Sequence, residues 1–426
     1  MKLHIASAAA IAAALIGSGV ARADDALQTL GGMHMTAPVD WPTIPQTGPK
    51  ADAVRQILKD KIKLPPGFHI ELYALVPDAR HMAVGPQGVV TFVGTRKSKI
   101  WAVTDRSRAG GEGGGIQGGG IEVKEFAPTL AKRLPNGPCF SKDGFLYVVE
   151  QNRVLQYPAA EFFYEGQDVA VSVVVPEGQL IPKAEESFNH TARVCRVGPD
   201  NKIYIQIGQP FNVPTKEKAD LYRKIGMGAI IRMDQDGKNR EIYATGLRNP
   251  EGIDFNPKDK SLWSNDNQVD GMGDDIPPGE MNRIDKQGEE FGFPWYGGGH
   301  TRTNEFKNDT PPADVIFPEV ETIAHAADLG LSFYTGDQFP QKYKNAIFST
   351  QHGSWNRTVP VGARVMVTFL KDDGHVAGPS IPFAEGWNDN GHYLGRPVDV
   401  QQYWDGSLLV SDDLVGAVYR IYYDGK

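Results

Sequence analysis

Val194-Cys-Arg-Val-Gly-Pro-Asp-Asn-Lys-Ile-Tyr-Ile205 is a pair of short apolar runs around a turn of Gly, Pro, Asp and Asn. β-Branched and aromatic residues on either side of such a turn read as a hairpin. The same unit recurs as Met82-Ala-Val-Gly-Pro-Gln-Gly-Val-Val-Thr-Phe-Val93 and Pro138-Cys-Phe-Ser-Lys-Asp-Gly-Phe-Leu-Tyr-Val-Val149. It returns as Ile253-Asp-Phe-Asn-Pro-Lys-Asp-Lys-Ser-Leu-Trp263 and Val398-Asp-Val-Gln-Gln-Tyr-Trp-Asp-Gly-Ser-Leu-Leu-Val410, with a weaker copy around Lys344-Asn-Ala-Ile-Phe348. The turn residues Gly88, Gly144, Asn201, Asp259, Asn345 and Gly406 stand 56, 57, 58, 86 and 61 residues apart. Six units of this length predict an all-β, six-bladed β-propeller with long connecting loops. The wide interval predicts an insertion of roughly 30 residues in the fourth unit. Further strands fall at Lys99–Thr104, Ala229–Met233, Arg364–Leu370 and Ala417–Tyr422. Phe68–Leu75 is expected to pair with the C-terminal strands and close the ring, which removes unpaired sheet edges.

The chain begins differently. Lys2, the apolar run Ile5–Ile16 and the small residues ending Ala21-Arg22-Ala23 have the parts of a secretory signal peptide. The run is shorter than the roughly 20 residues that span a bilayer, so cleavage before Asp24 is preferred over a retained anchor. The expected organisation is a signal peptide over 1–23, an N-terminal extension over 24–63 with a short helix near Ala51–Lys61, and the propeller over 64–426. The formal charge of -8 becomes -10 once Lys2 and Arg22 are removed. Nucleic acids and anionic membranes are bound through basic surface, so this balance speaks against both. It suits a soluble periplasmic protein and is compatible with divalent cations. Cys139 and Cys195 are the two cysteines. The periplasm permits a disulfide, but spacing alone leaves a bridge and two buried thiols equally open. No Cys-x-x-Cys-His is present, so no covalently attached haem is expected. Gly113-x-Gly115-x-x-Gly118 has the letters of a dinucleotide fingerprint, but the strand-like Ile121-Glu-Val-Lys-Glu-Phe126 follows where a helix is needed. It reads as a surface loop.

Propeller loops converge on the central axis at one end, so polar residues flanking the inner strands are the place to seek chemistry. Phe188-Asn-His-Thr-Ala-Arg193 puts His190 where a loop enters a strand. A neutral imidazole can take a proton near pH 7, although a merely hydrogen-bonded loop histidine is the plain alternative. In Gly246-Leu-Arg-Asn-Pro-Glu-Gly252, Arg248 offers a fixed fork of donors and Asn249 can donate and accept beside it; a structural turn is the alternative. Asn265-Asp-Asn-Gln-Val-Asp-Gly-Met-Gly-Asp-Asp-Ile-Pro-Pro-Gly-Glu280 is rich in the hard oxygen ligands calcium prefers, or is a solvated acidic loop. Thr350–Arg357 and His392–Pro397 are also chemically dense, but Ser354 lacks the Gly-x-Ser-x-Gly setting of a hydrolase nucleophile.

These segments together resemble the soluble PQQ-dependent glucose/sorbosone dehydrogenases, from about Pro65 to the C-terminus. The resemblance is carried by His190 with Gly198-Pro199-Asp200, by Gly246–Gly252, by Glu280-x-Asn282-x-Ile284 and by Phe291-Gly-Phe-Pro-Trp295. Gln351-His-Gly-Ser-Trp-Asn-Arg357 looks closer to the sorbosone branch. The resemblance implies a propeller holding PQQ over its central opening with calcium against the quinone. It implies His190 as the general base, with hydride passing from the same substrate carbon to the quinone, and Arg248 stabilising the developing negative charge. It places Asn249, His325, His352 and Arg396 at PQQ, and Asn267 and Gln268 near calcium. Three departures stand out: Asn189 where the glucose branch has Asp, His352 where the family has a PQQ-binding lysine, and one C-terminal arginine, Arg396, in place of a pair. The function expected is periplasmic oxidation of a sugar or sugar-derived aldehyde, with electrons passed to a separate quinone or cytochrome. A calcium-dependent lactonase and a non-catalytic binding propeller are the competing readings, since fold does not fix function.

Overall fold

The computed structural model of the protein describes residues 42–107 and 120–426. The signal-peptide reading, the start of the extension and nearly all of the glycine tract lie outside these residues. Among the described residues, six sheets of four or five strands form the blades of the expected propeller, in chain order. Each repeat unit is the innermost hairpin of one blade. The inner strands are Met82–Val84, Gly137–Phe140, Arg193–Val197, Pro250–Phe255, Asp328–Phe333 and Pro397–Gln402. Their partners include Ile203–Ile207, every residue of which is buried. A strand sandwiched between two neighbouring blades is covered on both faces, so it reads as a continuous apolar run and not an alternating one.

Phe68–Leu75 does close the ring. It pairs antiparallel with Ala417–Tyr423, from Phe68 opposite Tyr423 to Leu75 opposite Ala417, as the outermost strand of blade six. The fourth-unit insertion falls between Gly279–Ile284 and Val320–Thr322. Its strand Glu289–Glu290 adds in parallel to Glu241–Thr245 of blade three, so the insertion buttresses its neighbour. The expected helix spans Pro49–Lys61 and buries Ala51, Val54 and Leu58 in the apolar cluster of blades five and six. Ile121–Glu125, after the glycine tract, is a strand paired with Trp101–Asp105, which rules out the helix a nucleotide fingerprint needs.

Cys139 and Cys195 are bonded, with Cα atoms 5.8 Å apart, and tie the inner strands of blades two and three. The close approach has a visible cause. A Cβ on Gly137 would lie 2.2 Å from the Arg193 carbonyl oxygen, so only glycine lets these strands come together two residues before the cysteines. No helix among the described residues is long and apolar enough to cross a membrane.

Candidate active site

In an antiparallel hairpin, the start of the first strand and the end of the second lie at the same edge. The six innermost hairpins therefore present two kinds of position at one end of the axis. His190, Arg248, His325 and Arg396 immediately precede inner strands. Asn267, Gln268 and His352 immediately follow the strands that return. Seven of the eight predicted residues line a single open axial cleft with a cavity volume of about 240 Å³: His190, Arg248, Asn249, Asn267, Gln268, His325 and His352. Arg396 is one step behind, donating from Nε and Nη2 to the carbonyls of His352 and Gly353 (3.0 and 2.6 Å).

His190 is half-buried, with φ 48°, in the left-handed region that histidine adopts more often than most side chains. Its Nδ1 is 2.5 Å from the Gln209 carbonyl oxygen. A carbonyl only accepts, so Nδ1 carries the hydrogen and Nε2 keeps its lone pair. No group among the described residues hydrogen-bonds Nε2. Burial, reinforced by the nearby Arg248 charge, lowers the His190 pKa to about 4. The imidazole is thus an unprotonated base at neutral pH. Arg193, fully buried, donates from Nη1 to the His190 carbonyl at 2.8 Å and holds the loop. Gln209 links base and arginine, since its N–H donates to the Arg248 carbonyl at 3.1 Å. Gly208, just before it, has no room for a side chain: a Cβ would meet Asn249 Oδ1 at 2.4 Å and His190 Cβ at 2.9 Å.

Arg248 is held by Asn212, the Asn267 carbonyl and Asp270, all within 3.2 Å. Asn249 gives its Nδ2 hydrogen to Glu251 Oε1 at 3.0 Å, which turns Oδ1 to the other side. That Oδ1 is buried and accepts no hydrogen bond from the protein; Gln268 Oε1 and Asn356 Oδ1, also on the cleft wall, are alike in this. Buried acceptors are nearly always satisfied, so each of these oxygens calls for a partner from water or a ligand. His325 has φ 64°; Gln268 and Asn356 donate to its Nδ1 (3.0 and 3.2 Å), while Nε2 donates to the carbonyls of Gly273 and Ile276. His352 donates from Nε2 to Asp413 at 2.8 Å.

The acidic loop does not gather as a calcium-binding loop would. Asp266 accepts from the N–H groups of Arg248 and Asn249, Asp270 holds Arg248 and Asn356, and Asp275 pairs with Arg357. Protein donors have taken up these carboxylates. Among the described residues, no group of three or more His, Cys, Asp or Glu is placed to hold a metal ion. A cation here would rely on amide and main-chain oxygens, of which Gln268 Oε1 is unpartnered.

Sequence reading missed Arg80, Arg96, Glu251 as a site residue, Asp413 and Gln209. The positional rule could have found most of them: Arg80 precedes an inner strand, and Gln209 and Asp413 follow returning ones. Phe188 and Trp355 also line the cleft, and are 87% and 76% exposed. Large apolar side chains left in water at a cleft mouth form a surface for a partly apolar ligand.

Residues 178–354 match the model of the Glucose / Sorbosone dehydrogenase family. The chain is 37% identical over 249 residues to an uncharacterised protein of Borreliella burgdorferi, covering 58% of this chain and 63% of that one. It is 27% identical over 152 residues to the aldose sugar dehydrogenase YliI of Escherichia coli, covering 33% of this chain and 39% of that one. The matches thus span less than two thirds of either curated relative. Its fold is similar to that of the PQQ domain of pyranose dehydrogenase from Coprinopsis cinerea, in its holo form, with TM-score 0.65 and 17% identity, over 85% of this chain and 97% of that one. The matched residues 178–354 contain His190, Arg248, Asn249, Asn267, Gln268, His325 and His352, and over this stretch the chain is similar to the Glucose / Sorbosone dehydrogenase family.

Proposed function

We propose that this protein is a PQQ-dependent dehydrogenase that oxidises a sugar or a sugar-derived aldehyde hydrate in the periplasm. The observation that carries the reading is His190: an imidazole tied through Nδ1, with a free Nε2 and a depressed pKa, on the wall of a cleft lined by Asn249, Gln268 and Asn356, whose amide oxygens have no protein partner. The residues fit an anionic, heteroatom-rich cofactor. Arg80, Arg96 and Arg248 line the cleft, while Asn249, Gln268 and Asn356 offer acceptors. PQQ, when bound, supplies a two-electron acceptor for hydride, and calcium beside Asn267 and Gln268 would strengthen its electrophilic character.

The protein's part is to orient the substrate and move its proton. His190 Nε2 takes the hydrogen of the substrate hydroxyl as the C–H hydrogen departs with its electron pair, and the carbon–oxygen double bond forms. A base already unprotonated at neutral pH needs no prior proton loss. Arg248, locked by Asn212 and Asp270, keeps positive charge over the cleft and steadies growing negative charge there. Phe188 and Trp355 present ring faces at the mouth to the C–H faces of a sugar. A separate quinone or cytochrome would take up the electrons. The sorbosone branch is preferred for the substrate because Gln351–Arg357 contributes His352, Trp355 and Asn356 to the cleft wall.

The test is reconstitution. Apo protein supplied with PQQ and calcium should reduce a redox dye with aldoses or with sorbosone-like aldehydes. Absence of PQQ binding would overturn the reading, and lactone hydrolysis without PQQ would replace it with the hydrolase alternative.

A further inference from the structure

Arg80 is 1% exposed and lies on blade one, two residues before its inner strand. Its guanidinium reaches three other blades. Nε donates to Asn136 Oδ1 of blade two at 3.2 Å, Nη2 to Glu251 Oε2 of blade four at 2.7 Å, and Nη1 to Asp413 Oδ2 of blade six at 3.0 Å. Each carboxylate uses its second oxygen on a residue of the cleft wall. Glu251 Oε1 accepts from Asn249 Nδ2, and Asp413 Oδ1 accepts from His352 Nε2. The result is an unbroken chain, Asn249–Glu251–Arg80–Asp413–His352.

We propose that Arg80 is a positioning residue for the cofactor site: through two carboxylates, one guanidinium sets the Asn249 amide and the His352 ring and neutralises the acids that hold them. Glu251 fixes the amide by accepting from Nδ2, which leaves Oδ1 as the unpartnered end of the amide. Asp413 fixes His352 with Nε2 as donor. Two carboxylates under an anion site would repel its ligand, and Arg80 lies between them. A lysine is a point charge without the planar fork, so it cannot reproduce the spread of Nε, Nη1 and Nη2 over three partners. The other charged or titratable groups facing the chain are Asp78, His81, Arg96, His190, Arg193, Arg396 and Asp412. Burial holds the His352 pKa below its ordinary value; Asp413 opposes that shift, and Arg396 and Arg80 add to it.

The inference rests on the cofactor reading only for its ligand, and the test separates the two. His352 is titrated by NMR in the apo full chain, for wild type, Arg80→Met, Arg80→Lys and Asp413→Asn. Losing the guanidinium should raise the His352 pKa by about one unit or more in Arg80→Met, a tenfold change in proton affinity. Asp413→Asn should lower it, and Arg80→Lys should fall between wild type and Arg80→Met. Titrations unmoved in whichever of these variants fold would overturn the proposal, with or without PQQ. PQQ affinity is then measured by absorbance at about pH 6 and pH 8, where wild type should change little and Arg80→Met should weaken about tenfold as Glu251, no longer neutralised, ionises. Equal pH dependence in both proteins would also overturn it. A wild type that binds no PQQ would sink the proposed function while His352 still decides the relay.

Discussion

The wedges between blades and the axis they surround are both buried, yet they are built from opposite materials. Between blades two and three the interior is Tyr147, Val149, Ile203, Ile205 and their neighbours, and between blades four and five it is Trp263, Met281, Leu331 and Phe333. Along the axis it is Arg80, Glu251, Asn249, Gln268 and His325, all at most 6% exposed. The wedges have apolar partners on every side. The axis has acceptors with no partner and a histidine deprived of its charge. Apolar burial is what stabilises a fold, whereas unsatisfied polar burial opposes it and persists where a ligand completes it. Stability and function are therefore expected to separate by location.

The sharpest way to break that separation is His190→Ala. It should lower kcat by about 10²–10⁴-fold, the usual contribution of a general base, with the melting temperature nearly unchanged. A variant that lost stability but kept turnover would place His190 with the wedges. Trp263→Ala should do the reverse, costing about 3–5 kcal/mol in denaturant unfolding while the folded fraction keeps its cofactor affinity. Gly208→Ala sharpens the boundary, because the added methyl presses on Asn249 and His190 at once. Overpacking of about 1–3 kcal/mol is expected, read as a fall in kcat larger than the fall in stability implies. The smallest effect is on the pH profile. With the His190 pKa lowered to about 4, kcat/KM for the free enzyme should hold across the mildly acidic range and fall only near pH 4. A limb near the ordinary value of about 6.5 would mean that burial does not act on this ring.

The same contrast explains what could be read from the sequence. Inner strands covered on both faces leave continuous apolar runs around Asp, Asn and Gly turns, so the blade count, the insertion and the closing strand were all legible. His190 and Arg248 were legible because they flank those runs inside longer motifs. What the sequence hides is partnership across the ring. Arg80 and Asp413 are 333 residues apart, and Arg80 and Glu251 are 171 apart, with nothing in their spacing to join them. Gln209 acts through its main-chain carbonyl, which any residue would supply. The partners of the acidic loop are hidden for a related reason. Its carboxylates looked free in sequence, but their donors, Arg357 and Asn356 among them, come from a loop more than eighty residues on.

The most direct measurement is an anaerobic single turnover. Apo protein would be titrated with PQQ and calcium, and the bound quinone's absorbance followed on adding an aldose or a sugar-derived aldehyde. Saturation at one PQQ per chain, followed by bleaching that is fast in wild type and slow in His190→Ala, is the predicted result. PQQ that does not bind, or that binds and is reduced equally fast without His190, would contradict the account.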